Sequence, residues 1–375
     1  MANNSEEYAR TLEQGIAALR QGDSIEAQAL LQRAVDLGLD NAQVAEALAM
    51  LGRAHGTAGQ YERAEEALHE ALRRSMGLPG VHARAKIQLG IVRYQTGQVD
   101  AARYFLEEAE QELKRQGDQQ NRSIALGNLG MILVMRGEYQ QAIDALRTSI
   151  ELCEALNDLI GVSIQLSNLG EAYLDLGDPA GAQELVERAI RLADLLGSDS
   201  MQVNTQRNLG MDLAAQGRLA EGRAIVERAL QLATTYHQAD AARQCQASLA
   251  EVQYLQGEYE AALATAEALQ EASGESSVRR AQARLIIGRC QAARRQPQRA
   301  LLTLEAGLVD AQVSTSKMLV LRLHAALAQI GTHPAIAQVH RRIGAQLATQ
   351  IATSLEDQDL RTKFERSALY RLLKS

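Results

Sequence analysis

Tryptophan is absent from this 375-residue chain, phenylalanine occurs only at Phe105 and Phe364, and aromatic residues make up 3% of it. Any core must be built from Leu, Ala, Ile and Val, a palette that favours helices over strands. Proline is scarce as well, with four in all, so few helix interiors are interrupted. Cys153, Cys245 and Cys290 are odd in number and far apart. This argues against a disulfide framework, and they read as small buried apolar residues. No stretch approaches the ~18–20 apolar residues of a membrane span. The opening segment, Met1 to Glu7, is polar and acidic and lacks the apolar run of a signal peptide. The expectation is a protein of a reducing cytoplasm with no membrane partner.

Positive charge is not in excess. The formal net charge is −7, and the longest basic runs are pairs such as Arg73-Arg74, Arg279-Arg280, Arg294-Arg295 and Arg341-Arg342. These read as solvated helix faces, and a nucleic-acid partner, which needs clustered cations, is not expected. Catalytic signatures are missing too. There is no phosphate-binding G-x-x-x-x-G-K-[ST], no H-E-x-x-H, no C-x-x-C and no G-x-S-x-G. Of the seven histidines, His333 and His340 lie seven apart around a helix start, which is not a metal-ligand spacing with a third ligand nearby. No enzyme activity, cofactor or metal is expected.

What the chain does have is internal repetition. Asn128-Leu129-Gly130, Asn168-Leu169-Gly170 and Asn208-Leu209-Gly210 recur at a 40-residue step. A column of small residues runs through Gly15, Gly52, Gly90, Gly130, Gly170, Gly210, Ala250 and Gly288. Seven residues on lies Gly22, Gly59, Gly97, Gly137, Gly177, Gly217 and Gly257, broken by Arg295. Five further is an Ala column, Ala27, Ala64, Ala102, Ala142, Ala182, Ala262 and Ala300, with Gly222 in the sixth unit. Four further are Leu31, Leu68, Leu106, Leu146, Val186, Val226 and Leu304, with Ala266 the exception. The second glycine suits a left-handed helix end. In Gly177-Asp178-Pro179, Asp178 suits a cap and Pro179 a first helical position. The small residues let two helices approach, and the bulky residue one turn after Ala fills the seam between repeats. Each unit is a helix, a turn and a helix, and stacked units bury one continuous core.

These columns resemble the tetratricopeptide repeat. The best unit runs Leu126, Leu129-Gly130, Leu133, Gly137-Glu138-Tyr139, Ala142, Leu146 and Ser149, and the next Leu166, Leu169-Gly170, Tyr173, Gly177, Ala182, Val186 and Ala189. The period near 40, against the usual ~34, resembles the long units of kinesin light chains and bacterial peptide-pheromone receptors. The resemblance implies an all-α, right-handed superhelical solenoid over 6–352, with eight clear repeats to about 310 and a degenerate ninth. A ninth unit is expected over about 318–352, with Thr332-His333-Pro334 as its turn. Leu355 to Leu373 reads as one capping helix over 354–375, and its tail resembles the ends of arrays in bacterial signalling ATPases and transcriptional regulators.

In such a family the first helices line a concave face. The resemblance places Asn128, Asn168 and Asn208 on it, with Arg84, Tyr94, Met131, Glu171, Asn204, Arg207 and Tyr254. Side-chain amides offer donors and acceptors to an extended peptide, or else bond the adjacent helix and order the stack. Arg207 beside Asn204 and Asn208 suits a carboxylate. The function implied is an adaptor or scaffold holding a protein or peptide segment in the groove. The alternative is a peptide- or ligand-sensing regulator of a bacterial signalling or transcription pathway. Exposed array ends also permit self-association.

Overall fold

A computed structural model describes residues 2–21, 23–197, 202–236, 238–274, 276–330 and 334–374. Gly22, His237, Thr332 and His333 lie outside them. The described residues form twenty helices and no strand. Eight successive pairs are α1 (Ala2–Gln21) with α2 (Ser24–Leu37), α3 (Asn41–Thr57) with α4 (Tyr61–Arg74), α5 (Pro79–Gln95) with α6 (Val99–Gln116), α7 (Gln119–Met135) with α8 (Tyr139–Ala155), α9 (Leu159–Asp175) with α10 (Pro179–Leu195), α11 (Gln202–Ala215) with α12 (Leu219–Thr235), α13 (Ala239–Leu255) with α14 (Tyr259–Glu271), and α15 (Ser277–Ala293) with α16 (Pro297–Val313). A ninth pair is α17 (Lys317–Gln329) with α18 (Pro334–Ser354), followed by α19 (Gln358–Arg366) and α20 (Ala368–Lys374). The chain divides into two compact units, 1–129 and 130–375, the division falling inside α7.

The 40-residue step has a simple origin. From α7 to α10 every helix is 17 residues long and every connection is three residues. Both kinds of turn reverse the chain through a left-handed residue. After the first helices stand Gly59, Gly97, Gly137, Gly177, Gly217 and Gly257, all at positive φ, and Arg295 adopts the same conformation at φ 59. After the second helices stand Gly77, Gly117, Asn157, Gly197, Gly274 and Thr315. This column the sequence reading did not single out. In the turn from α7 to α8, Gly137 N–H donates to Val134 C=O at 2.9 Å and Glu138 N–H to Leu133 C=O at 2.9 Å, satisfying carbonyls that a helix end leaves free. Pro179 and Pro297 stand in the first turns of their helices, as does Pro79, and Pro334 opens α18. The Asp178 carboxylate accepts the Gly181 N–H at 3.1 Å.

The first small-residue column exists because the bulky column presses on it. A Cβ added at Gly52, Gly90, Gly130, Gly170 or Gly288 would meet Leu68, Leu106, Leu146, Val186 or Leu304 at 2.5–2.8 Å. These bulky residues were expected to fill the seam between repeats. They also wedge between the two helices of their own repeat, and Leu68 does both, packing with Ala64 and with Ala85 and Leu89 of the next unit. All five are fully buried. Cys153, Cys245 and Cys290 are buried and in no disulfide, and burial pushes the thiols of Cys245 and Cys290 up to about 11, where little thiolate exists at neutral pH.

The capping segment departs from expectation. The single helix expected over Leu355 to Leu373 is broken at Ser367, whose backbone is extended (φ −62, ψ 153). Its hydroxyl accepts the Tyr370 N–H at 3.2 Å, so a residue read as helix interior is a cap for α20. The break lets Leu360 and Phe364 of α19 and Leu373 of α20 all be buried, and a Cβ on Gly344 would meet Leu373 at 2.5 Å.

Within 130–375 the chain returns on itself. The ninth pair and the cap reach α8–α10 through Arg322–Asp175 at 2.7 Å, Lys363–Asp178 at 2.9 Å and Glu356 N–H donating to Gln140 at 2.9 Å. Lys317 lies against Gly137 and Ser367 against Gly177. A cavity of about 150 Å³ remains there, lined by Gly137, Gln141, Lys317, Leu347 and Ile351 among others. No helix among the described residues is long and apolar enough to cross a membrane.

Candidate interaction face

In the unit 130–375 the first helices α9, α11, α13, α15 and α17 pack each against the next. They carry charges that meet in pairs, two of them one repeat apart and one of them four repeats apart. Glu171 of α9 pairs with Arg207 of α11 at 3.0 Å. Glu251 of α13 holds Arg289 of α15 through both oxygens, at 2.7 and 2.8 Å, and the Arg289 guanidinium lies 4.0 Å from the Tyr254 ring centre. Asp175 of α9 pairs with Arg322 of α17 and accepts the hydroxyl of fully buried Tyr139 at 3.0 Å. The pairs feel one another. Asp175 senses Arg322, Glu171 and Arg207, and Arg322 senses Asp175, Glu251 and Arg289. They form one polar floor of alternating sign.

Burial raises the Asp175 pKa, while Arg322 pulls it down. The Arg322 side chain is 48% exposed, against 14% for Arg207 and 24% for Arg289. Arg322 is therefore the cation on this floor that solvent, or a ligand, reaches most easily.

Asp212 is different. The residue is 1% exposed, neither carboxylate oxygen has a hydrogen-bond partner among the described residues, and burial, which Arg207 only partly offsets, pushes its pKa up to about 8. At neutral pH it is mostly the neutral acid.

The predicted residues divide. Glu171, Arg207 and Tyr254 come together on this floor. Arg207, expected to suit a carboxylate, meets that of Glu171 through one terminal nitrogen at 3.0 Å, and its buried Nε has no partner among the described residues. Asn204 is exposed on α11, and Met131 on α7 is half-buried. Asn168 donates to Gln165 of its own helix at 3.0 Å. Asn208 is buried and donates across to α9, to the Ser167 C=O at 3.0 Å and its hydroxyl at 2.9 Å. In the unit 1–129, Arg84 pairs with Glu46 at 3.1 Å, Tyr94 is half-buried, and Asn128 donates to Ile124 C=O at 2.8 Å. The three asparagines thus occupy one column with different partners. Asn208→Ala is expected to cost about 1–2 kcal/mol, because it removes two buried hydrogen bonds between α11 and α9, while Asn128→Ala stays within about 0.5 kcal/mol. Urea unfolding of the two variants checks this; equal costs would sink it.

Arg289 and Arg322 were missed. Arg289 occupies the column of Met131, Glu171, Met211 and Glu251, directly after the small residue, so its position was legible. Arg322 lies in the ninth unit, where the columns fade. His340, weighed for a metal with His333, instead meets His324, Nδ1 to Nδ1 at 2.9 Å. Burial and that neighbour push His324 down to about 4, so the pair is neutral at physiological pH. Among the described residues no three His, Cys, Asp or Glu side chains converge as metal ligands.

Tetratricopeptide-repeat models match residues 12–55, 44–75, 82–155, 121–194 and 201–269. No curated relative matches the sequence. Among solved structures, a Rap protein complexed with competence and sporulation factor superposes with a TM-score of 0.62 at 14% identity, covering 93% of this chain and all of that one. The apo quorum sensor NprR from B. thuringiensis gives 0.58 at 16% identity, covering 91% and 99%. Apo RapI gives 0.55 at 13%, covering 78% and 99%. At these identities the likeness is one of fold. The matched repeats span well over half of the sequence, and their helix pairs are those seen in the structure, so the chain belongs to the tetratricopeptide-repeat family.

Proposed function

We propose that this protein binds a peptide or a segment of a partner protein on the concave first-helix face of 130–375. The observation that carries the reading is the polar floor itself, where Glu171–Arg207, Glu251–Arg289 and Asp175–Arg322 are joined across five first helices with Tyr254 beside them. Ion pairs held between helices fix their side chains in advance, so a ligand spends little ordering entropy on them. Arg322, half exposed and held by one oxygen of Asp175, offers the rest of its guanidinium fork to a peptide carboxylate. Asn204 and Asn168 add amide groups for an extended backbone.

A second reading, a sensor that changes pitch on binding, is favoured by the few polar contacts that close α17–α20 onto α8–α10. A ligand competing for Asp175 or Arg322 would alter that closure. The structural neighbours named as a quorum sensor and as a complex with a sporulation factor fit this version.

The test uses the full chain as bait in extract of its native cells, against a variant carrying Asn168→Ala, Asn204→Ala and Arg322→Ala, with circular dichroism as the control on folding. The wild type should retain a partner that the variant binds about tenfold more weakly or not at all. Equal retention by both removes the concave face from the account. A captured ligand that shifts the radius of gyration in solution scattering selects the sensor, and one that leaves it unchanged selects the static adaptor.

A further inference from the structure

The formal charge of −7 conceals two oppositely charged stretches inside 130–375. Residues 130–276 carry twenty-two acidic and nine basic side chains, whereas 277–375 carry six and sixteen. The fold brings parts of these stretches together. Residues 139–195, which are α8 to α10, hold ten acidic and three basic side chains, a net charge of −7, and residues 317–374, which are α17 to α20, hold four and nine, a net charge of +5. These are the elements that meet where the chain returns on itself. The closure has a fixed side and a movable side. The side chains of Asp175 and Asp178 are only 16% and 7% exposed. Each is held from behind, Asp175 by the Tyr139 hydroxyl and Asp178 by the Gly181 N–H. The cations that reach them, Arg322 and Lys363, are long side chains left 48% and 38% exposed. Lys363 also pairs with Asp359 of its own helix, so it keeps a carboxylate when it leaves Asp178. The cavity of about 150 Å³ between α8 and α18 shows that close packing does not extend across the whole closure.

We propose that α17–α20 form an electrostatic clasp on α8–α10, held by attraction between the two charged stretches and released, with every helix intact, when salt screens that attraction. Ion pairs as exposed as these contribute little one by one, and the attraction of the two net charges acts only within a Debye length. Release needs no unfolding. The curvature of a repeat array is a small rotation repeated at each junction, and from α9 to α17 four junctions share the change. Arg322 belongs both to the clasp and to the polar floor, so release frees Asp175 for a cationic group of a ligand. That consequence rests on the reading of the floor given above, whereas the clasp itself is read without any partner.

The test is the distance between two spin labels on the full chain, measured by pulsed electron resonance with no partner present. Gln141→Cys on α8 and Gln350→Cys on α18 put the labels on exposed residues that line the same cavity, and the native cysteines are buried. Raising sodium chloride from about 0.1 M to about 1 M shortens the screening length from about 10 Å to about 3 Å. The label distance should be short at the low salt and shift to longer values at the high salt, with the circular dichroism unchanged. Arg322→Gln with Lys363→Gln should show the longer distance already at the low salt. Arg73→Gln with Arg74→Gln, whose partner Glu70 is on their own helix, should keep the short one. A distance that does not respond to salt, a short distance in the Arg322 and Lys363 variant, a long one in the Arg73 and Arg74 variant, or a lengthening seen only with loss of helical signal would each overturn the clasp. None of these results touches the proposal that the floor binds a peptide, which the extract experiment decides.

Discussion

Asp212→Val is expected to make the protein more stable, by about 3–5 kcal/mol near pH 7, with a gain that depends on pH. Its column in the other first helices holds Ala54, Val92, Ile132, Ala172, Val252 and Cys290, all buried. The array therefore offers position 212 an apolar site, and Asp212 brings to it a carboxyl group without a hydrogen-bond partner. Unfolded, the group ionises near 3.9; folded, it holds its proton until about 8. Between these values the native state carries a proton that the unfolded chain has lost, so stability falls as pH rises from about 4 to about 8, by about 1.4 kcal/mol per unit, and levels off above. Arg207, close enough to lower this pKa, keeps Glu171 as its partner in the variant. The difference between wild type and Asp212→Val in urea unfolding should grow across that window, and Asp212→Asn should flatten most of the slope while keeping the shape. A pH-independent difference, or a valine variant less stable than wild type at pH 8, would refute the account.

Gly222→Ala should destabilise by about 1–3 kcal/mol, although alanine is the residue that Ala64, Ala102, Ala142, Ala182, Ala262 and Ala300 supply at this position. In an open helix the exchange would gain about 1 kcal/mol. Here a Cβ on Gly222 would stand 2.5 Å from the Gly210 carbonyl oxygen and 3.1 Å from the Ala214 nitrogen, which are backbone atoms of α11 and cannot swing away. The two helices have closed into the space the missing methyl leaves. A Cβ on Gly210 would lie 2.8 Å from the Gly222 carbonyl, whereas the matching distances from Gly52, Gly90 and Gly170 to their Ala carbonyls are 3.2, 3.3 and 3.3 Å. The midpoint of urea unfolding should drop without a change of slope. If Gly222→Ala matches or exceeds the wild type, α11 and α12 can separate by half an ångström at no cost, and the reading of this repeat as over-closed is wrong.

Both substitutions fall in one repeat, α11 with α12. It also buries Gln206 where the preceding units have Leu126 and Leu166, with the Gln206 Oε1 left unpaired. In an array where each unit touches only its neighbours, stability is a sum of local terms. This repeat therefore carries three unfavourable local contributions, at Gln206, Asp212 and Gly222, that the matching positions of its neighbours lack.

The amino-acid sequence by itself determined the helix pairs, their 40-residue step and the left-handed turns within each pair, because each depends on groups within a few residues: a glycine that tolerates positive φ, a proline that sets a first turn, and an aliphatic side chain one turn from an alanine. It also placed Glu171, Arg207 and Tyr254 on one face, since a repeat carries a helix face forward with it. Tertiary structure alone decided which charges pair, that Asn208 bonds its neighbour while Asn168 does not, that Ser367 breaks the cap, and that Arg322 returns to Asp175 across 147 residues. Those outcomes depend on the small rotation between repeats summed over many units and on how much water each side chain keeps, quantities that no short window of sequence contains.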